Sequence, residues 1–209
     1  PFLDNATDLD PSFIAAYTYG AMVLPAIDPA KAILLIEKGI RNNPDYWRLY
    51  QYLGYIHWRL KDYGKAAAAY EQGSQNPSAA PFMKMMVAAM KNQGGSRETA
   101  RSLYQQMRDE ARDDQTKNTA ELRLMEIDSL EERDAIRSIL KDQAERNGAC
   151  PQSFRQIIPL LGSIELPAGK AFQVDNAGNL ADPSGAPYIL DRETCDIKLD
   201  PERTKVPQM

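Results

Sequence analysis

Residues 53–77 read LGYIHWRLKDYGKAAAAYEQGSQNP, and several of their positions recur along the chain at an interval of 34 residues. Two of the recurring columns hold small residues, a third holds large apolar or aromatic residues, and a fourth holds two glycines and a methionine. The columns are Gly20, Gly54 and Ala88; Ala32, Ala66 and Ala100; Ile36, Tyr70 and Tyr104; and Gly39, Gly73 and Met107. A fixed interval of this length indicates three copies of one supersecondary unit.

Each unit is predicted to be a pair of helices that cross at the small residues. The first small residue falls midway along the first helix, and the second falls early in the second helix. Glycine or alanine at a crossing lets the two helix axes approach closely. The large residue lies four positions after the second small residue, so it shares a face with it and fills the space that the small residues leave.

This pattern resembles the tetratricopeptide repeat (TPR) family over residues 13–112. The second copy matches best, with Leu53-Gly54, Ala66, Tyr70 and Asn76-Pro77. The family usually has a tryptophan three residues into the first helix, and this chain departs from it with Ala16, Tyr50 and Lys84. The resemblance implies a mainly α protein, built as a TPR-like α-α superhelix of three repeats.

Further turn signals extend the helical part of the chain. Asp10-Pro11 and Asp28-Pro29 each predict an N-cap followed by proline in the first helical turn. Residues 115–147 predict two more helices of poorer register, the second opened by a capping box at Ser129-Leu130-Glu131-Glu132. This degenerate helix pair would cap the array, as solenoid ends require, and complete a helical domain over residues 1–148.

Residues 149–209 predict a small α/β extension. Residues 151–161 indicate one short helix, and three apolar stretches separated by turn residues indicate an antiparallel β-meander. The predicted strands are residues 170–174, 187–190 and 195–199. Three strands are only marginally stable alone, so the meander is expected to pack against helices.

This extension resembles, more weakly, the globular end of the type II secretion major pseudopilin. The resemblance rests on the glycine-proline step at residues 147–151 and on the Asp-Pro-x-Gly-x-Pro-Tyr hairpin at residues 182–191. The same turn also arises without common ancestry, because proline fixes φ and glycine takes positive φ. The resemblance favours a bacterial envelope protein with a periplasmic or other extracytoplasmic location, the alternative being the cytoplasm.

Composition bounds the possible partners. The net charge of −4 argues against a nucleic-acid binder, and no apolar run reaches membrane-spanning length. A first residue other than methionine indicates a processed or shortened chain, so a signal peptide or anchor upstream is compatible with the sequence. Cys150 and Cys195 are the only cysteines, and they form either a disulfide or two separate buried thiols.

The sequence predicts no catalytic residue, metal ligand or cofactor. His57 is the only histidine, and its place in the repeat favours a packing role over that of a catalytic base. No nucleophile motif, phosphate loop or zinc spacing is present. The oxygen-rich turn at residues 175–182 lacks the spacing of a calcium loop.

The expected function is therefore protein binding. In the TPR family, four positions of each first helix face the concave groove, and the resemblance carries them over to this chain. They are Ile14, Tyr17, Ala21 and Leu24; Arg48, Gln51, Tyr55 and Trp58; and Phe82, Met85, Ala89 and Asn92. The chain is expected to be a non-catalytic adaptor or accessory subunit of a bacterial envelope assembly. The alternatives are a structural subunit built into a complex through its convex face, and an enzyme with an unrecognised site in the extension.

Overall fold

The chain is mainly helical, with a small antiparallel β portion near its C-terminus. The computed structural model describes residues 2–208, which contain nine α-helices and four short β-strands. They form two compact units, the first ending at Tyr104 and the second beginning at Gln105. The predicted domain boundary after residue 148 differs from this division, because the helix before it packs with the extension.

Unit 1 is an array of consecutive helices joined by short connections, so neighbours run antiparallel. Contacts link α2 to α3, α3 to α4, α4 to α5 and α5 to α6. Asp28 and Asp62 cap α3 and α5 by accepting backbone N–H bonds from Lys31 and Lys65. The helices are α1 (Phe2–Leu9), α2 (Ile14–Val23), α3 (Pro29–Asn42), α4 (Trp47–Arg59), α5 (Tyr63–Ser74), α6 (Phe82–Gln93) and α7 (Arg97–Glu110), the last crossing the unit boundary.

The predicted helix start at Asp10-Pro11 is wrong by about one turn. The carboxylate of Asp10 accepts hydrogen bonds from the backbone N–H and the hydroxyl of Ser12, so it closes a local turn. α2 begins only at Ile14. The preceding helix α1 was not predicted at all.

The glycine columns lie where helices touch. A Cβ built on Gly54 would lie 2.7 Å from the ring of Tyr70, and one built on Gly39 would lie 2.8 Å from the ring of Tyr17. Gly20 is covered by Leu35 instead of by the column residue Ile36. The alanine column is fully buried in all three copies. Large side chains therefore cover these three glycines, and at Gly54 the covering residue is the one that the repeat columns predict.

Unit 2 is organised by one long helix, α8 (Asp114–Asn147). The predicted pair of helices over residues 115–147 is therefore wrong, because neither proline nor glycine interrupts this stretch. Asp113 caps α8 by accepting the backbone N–H of Thr116, and Gly148 ends it with a left-handed φ of 69°. Ser129, the expected cap of a second helix, is buried in mid-helix.

The extension folds against α8. The single helix predicted at residues 151–161 is instead a 3₁₀ turn (Phe154–Gln156) followed by the short α9 (Ile158–Leu161). The predicted three-stranded meander is also wrong, because the strands form two separate antiparallel pairs joined by a bridge between Ala181 and Pro187. They are β1 (Gln173–Val174), β2 (Leu180–Ala181), β3 (Ile189–Asp191) and β4 (Asp196–Lys198).

One apolar core joins α8 to the extension. Ile136 and Leu140 of α8 lie fully buried within it, together with residues from the 3₁₀ turn, α9 and the strands. The extension contributes Phe154, Ile157, Leu161, Leu180, Tyr188 and Ile197. A disulfide between Cys150 and Cys195, whose Cα atoms are 5.6 Å apart, ties the end of α8 to the start of β4.

Candidate interaction surface

The groove positions of the first repeat do not lie on a free surface. Tyr17 and Ala21 are 0% and 2% exposed and belong to the core of unit 1. Ile14 and Leu24 are half-buried and pack against the same core. The expectation that Tyr17 and Ala21 contact a partner is corrected accordingly, because their side chains already hold α2 against its neighbours.

The second repeat does present its groove positions to solvent. Tyr55 and Trp58 of α4 are 42% and 39% exposed, and Arg48 is exposed beside the half-buried Gln51. Arg59, which the sequence reasoning missed, is also exposed and lies on the same stripe, because residues four apart on a helix are neighbours.

The third repeat supplies a half-buried floor. Phe82, Met85, Ala89 and Asn92 of α6 are all partly accessible. Oδ1 of Asn92 is buried and accepts no hydrogen bond from the residues that the structure describes. We define the α4–α6 surface as the exposed stripe of α4 with this floor: Arg48, Gln51, Tyr55, Trp58, Arg59, Phe82, Met85, Ala89 and Asn92.

Side-chain contacts fix the aromatic part of this surface. Nε1 of Trp58 donates a hydrogen bond to Oε1 of Gln93 on α6, at 3.1 Å. The ring of Tyr55 lies 5.7 Å from that of Trp58, centroid to centroid. An indole held in this way loses little further freedom when a partner binds, which favours an interaction role.

Arg48, near the start of α4, is also held in place by a side-chain contact. The guanidinium of Arg48 lies 4.6 Å from the ring centroid of Trp47, a cation–π contact. Trp47 in turn packs edge-on against Phe82 of α6, with centroids 6.0 Å apart. The charge of Arg48 therefore sits on a supported, mostly buried aromatic pair.

The charges of unit 1 are divided between the two kinds of helix. The first helices α2, α4 and α6 contain no aspartate and no glutamate. Within residues 2–104, the ion pairs given by the structure involve Lys31, Lys38 and Lys65, which belong to the second helices α3 and α5. Arg48 and Arg59 have no carboxylate partner among the described residues, so the α4–α6 surface carries uncompensated positive charge.

His57 lies on the inner side of α4. Its side chain is buried, and burial lowers the pKa of the imidazole below its ordinary value. The buried position of His57 is that of a side chain that packs between helices. Elsewhere in residues 2–208 no group of three or more His, Cys, Asp or Glu side chains could hold a metal ion. No helix in that range has the length and apolar character needed to cross a membrane.

Unit 2 holds a cluster of buried carboxyl groups where the extension meets α8. The hydroxyl of Tyr188 donates a 2.8 Å hydrogen bond to Oε2 of Glu132. Asp128, which lies one helical turn before Glu132 on α8, forms an ion pair with Lys170. Burial, opposed by the Tyr188 hydrogen bond, raises the pKa of Glu132 to about 7. Oδ1 of Asp182 accepts the backbone N–H groups of Ser184 and Ala186 in its own turn, and Oδ2 accepts the hydroxyl of Thr204. The cluster fastens the extension to the helix.

A cleft of about 570 Å³ lies beside this cluster, between α8 and β4. Of its basic side chains, Arg137 pairs with Asp196 at 2.7 Å, Lys198 pairs with Asp191 at 2.5 Å, and Nε of Arg133 donates to the backbone carbonyl of Ser129. Glu132 is not among its lining residues, so the carboxyl group of raised pKa does not face the cleft. The α4–α6 surface, with two arginines outside any ion pair of the described residues, is the better candidate site.

No protein-family model matches the chain, and no curated protein is similar to its sequence. The TPR resemblance accordingly rests on the repeat columns, and function has to be argued from the surface itself.

Proposed function

We propose that the protein is a TPR-like, non-catalytic interaction module that holds another protein on its α4–α6 surface. The observation that carries this proposal is the exposed pair Tyr55 and Trp58, fixed to α6, with the uncompensated Arg59 beside it and the uncompensated Arg48 about two helical turns before it. Aromatic residues and arginine are the side chains that contribute most to protein interfaces. A half-buried apolar floor next to them gives a partner side chain a place to be desolvated.

The proposed setting is a bacterial envelope assembly outside the cytoplasm. The Cys150–Cys195 disulfide supports this setting, because such bonds persist mainly in oxidising compartments. The hairpin resemblance to the major pseudopilin supports it as well. In this setting the chain is an adaptor or accessory subunit, and it needs no cofactor.

The proposal is tested by quantitative cross-linking and pull-down from the native host, with Trp58→Ala compared against Tyr19→Ala. Tyr19 is a matched control, since it is an aromatic residue of a first helix, 57% exposed, and lies outside the α4–α6 surface. We expect Trp58→Ala to lose the partner that the parent and Tyr19→Ala both retain. Equal recovery of partners by all three proteins would contradict the proposal.

A second role, as a structural subunit built into a larger complex, is supported by a different surface. Met22 of α2, Ile27 of the following connection and Leu34 of α3 are 64%, 76% and 63% exposed. Exposed large apolar side chains are groups that an assembly contact would bury. Met22→Lys should then release the protein from its complex, as measured by native sedimentation, while Trp58→Ala should not.

A further inference from the structure

We propose that the partner segment bound on the α4–α6 surface is acidic and extended, with two carboxylates about five residues apart on either side of an apolar residue. This inference rests on the proposed function and names the chemistry of the partner. It comes from the distribution of charge, the spacing of the two arginines and the character of the surface between them.

The first step is the sign of the charge. The protein as a whole is acidic, with 29 Asp and Glu residues against 25 Lys and Arg residues. Unit 1 differs from this average, since residues 1–104 carry 11 Lys and Arg against 9 Asp and Glu. Within it α4 and α6 are acid-free, and of their cations Arg48 and Arg59 lie on the α4–α6 surface, whereas Lys84 and Lys91 lie outside it. A basic partner would meet unpaired arginines, whereas an acidic partner would neutralise them, and complementary charge of this kind directs both specificity and association rate.

The second step is the spacing. Arg48 and Arg59 are 11 positions apart (59 − 48) on one helix. At a rise of 1.5 Å per residue their backbones are separated by ~16 Å along the helix axis. An extended chain advances ~3.3 Å per residue, so the same distance corresponds to about five residues of a strand-like segment. Because every second side chain of a strand shares a face, two carboxylates four or six residues apart lie on one side and can meet both arginines at once.

The third step is what lies between the arginines. Tyr55 and Trp58 lie between the two arginines along α4, nearer to Arg59 than to Arg48. Their ring centroids are 5.7 Å apart, and Trp58 is tied to Gln93. Their faces offer an apolar contact for the residues between the two carboxylates. Each arginine also has the planar donor geometry that suits a carboxylate. The surface thus carries an arginine at each end and two exposed aromatic rings between them, displaced toward Arg59.

A nucleic acid has the same sign of charge, but the observations favour a protein. Two arginines neutralise only about two phosphates, which gives a nucleic acid little affinity at physiological salt. A carboxylate pair carries only two charges, so the two arginines can neutralise it in full. Single-stranded oligodeoxythymidine is therefore a competing probe in the test.

The test is selection from a displayed random-peptide library on the purified parent protein at low salt. We expect enriched peptides to carry pairs of Asp or Glu about five residues apart around apolar residues. A synthetic peptide of the enriched sequence should bind about tenfold more weakly to the double variant Arg48→Gln/Arg59→Gln, and its affinity for the parent should fall at high salt. Lys84→Gln/Lys91→Gln is the matched control, since those cations lie on α6 outside the α4–α6 surface, and it should bind as the parent does.

The outcomes separate this inference from the proposed function. Enriched peptides without acid pairs, whose binding is lost in Trp58→Ala, would overturn the acidic partner and leave the interaction surface standing. Enrichment that is unchanged in Trp58→Ala would overturn both. Tighter binding of the oligodeoxythymidine than of any selected peptide, lost in the arginine double variant, would overturn a protein partner. Thermal melts monitored by circular dichroism establish that each variant is folded.

Discussion

The helix crossing at Gly54 gives the sharpest test of the repeat register. Adding one methyl group, in Gly54→Ala, would place Cβ 2.7 Å from Cε2 of Tyr70 and 2.8 Å from Cδ2 and Cζ. Because ordinary carbon–carbon contacts lie at about 3.5–4.0 Å, the ring would have to retreat by roughly 0.8 Å. Tyr70 is only 3% exposed and belongs to a buried core cluster, so the ring has little room to move.

The expected free-energy change combines two opposing effects. Overpacking a well-filled core costs about 1–3 kcal/mol. Replacing glycine by alanine within a helix recovers roughly 0.5–1 kcal/mol. Since the methyl group would meet three ring atoms at once, the cost should lie near the top of its range, and Gly54→Ala should lower the free energy of unfolding by about 2 kcal/mol. Gly54→Leu should lower it further.

Gly64→Ala is the matched control. Gly64 lies in the first turn of α5, and the nearest atom to a Cβ placed on it is Oδ1 of Asp62, 4.0 Å away. The substitution should therefore raise the free energy of unfolding by about 0.5–1 kcal/mol. Urea denaturation followed by circular dichroism measures both variants, and Tyr70→Leu combined with Gly54→Ala should recover part of the loss. A Gly54→Ala protein as stable as Gly64→Ala would refute the crossing and the register derived from it.

Three further outcomes are expected. Because the pKa of Glu132 is raised from 4.5 to about 7 in the folded state, its contribution to stability is present below pH 4.5 and is lost as the pH rises to 7. The loss of unfolding free energy over this pH range should reach at most roughly 3 kcal/mol. Urea denaturation at a series of pH values measures it, and the Glu132→Gln variant should not show this loss. Stability profiles of parent and variant that run parallel with pH would contradict the prediction. Mass spectrometry of the non-reduced protein should show a mass two hydrogens below that of the dithiol, and reduction should cost ~4 kcal/mol for this loop in the chain-entropy model; alkylation of Cys150 and Cys195 without reduction would argue against the bond. His57→Ala should keep partner binding and lose only stability, whereas loss of a measurable turnover with the fold intact would show an enzyme.

The repeats could be predicted because their columns express helix contacts directly. Gly54 and Tyr70 recur at one interval since a small residue on one helix has to meet a large one on the next. α1 was missed although a signal exists: Phe2-Leu3 and Ala6, followed by Asp10-Pro11, match Leu35-Ile36, Gly39 and Asn43-Pro44. These matches are offset by 33 residues (35 − 2), so α1 falls outside the 34-residue columns.

The extension was harder to predict because its pairing partners are distant in sequence. Ser129 and Glu132 have the spacing of a capping box, yet the chain uses both near the hydroxyl of Tyr188, at 3.4 Å and 2.8 Å. Local sequence does not distinguish a cap from a polar contact made by a residue more than fifty positions later. β2 was missed because two residues are too few to show alternation.

Every residue of the α4–α6 surface except Arg59 was among the groove positions that the TPR resemblance implies, whereas the positions carried over to α2 gave no free surface. Helical phase places Tyr55 and Trp58 on one side of α4, and the structure exposes them. The same phase applied to α2 gave Tyr17 and Ala21, which are buried. Phase alone predicts which residues share a side, but not which side another element covers.

The disulfide between Cys150 and Cys195 makes the C-terminal portion tolerant of backbone cleavage. The connection between α9 and β1 is mostly exposed, as at Ser163, Glu165 and Ala168, and so is open to a protease. A cut there falls between the two cysteines, so the two fragments would stay covalently joined. The core formed by α8 with both pieces would then hold a two-chain unit in place. In a protease-rich compartment, nicking would change the electrophoretic pattern under reducing conditions without detaching the part of the chain that carries β3 and β4.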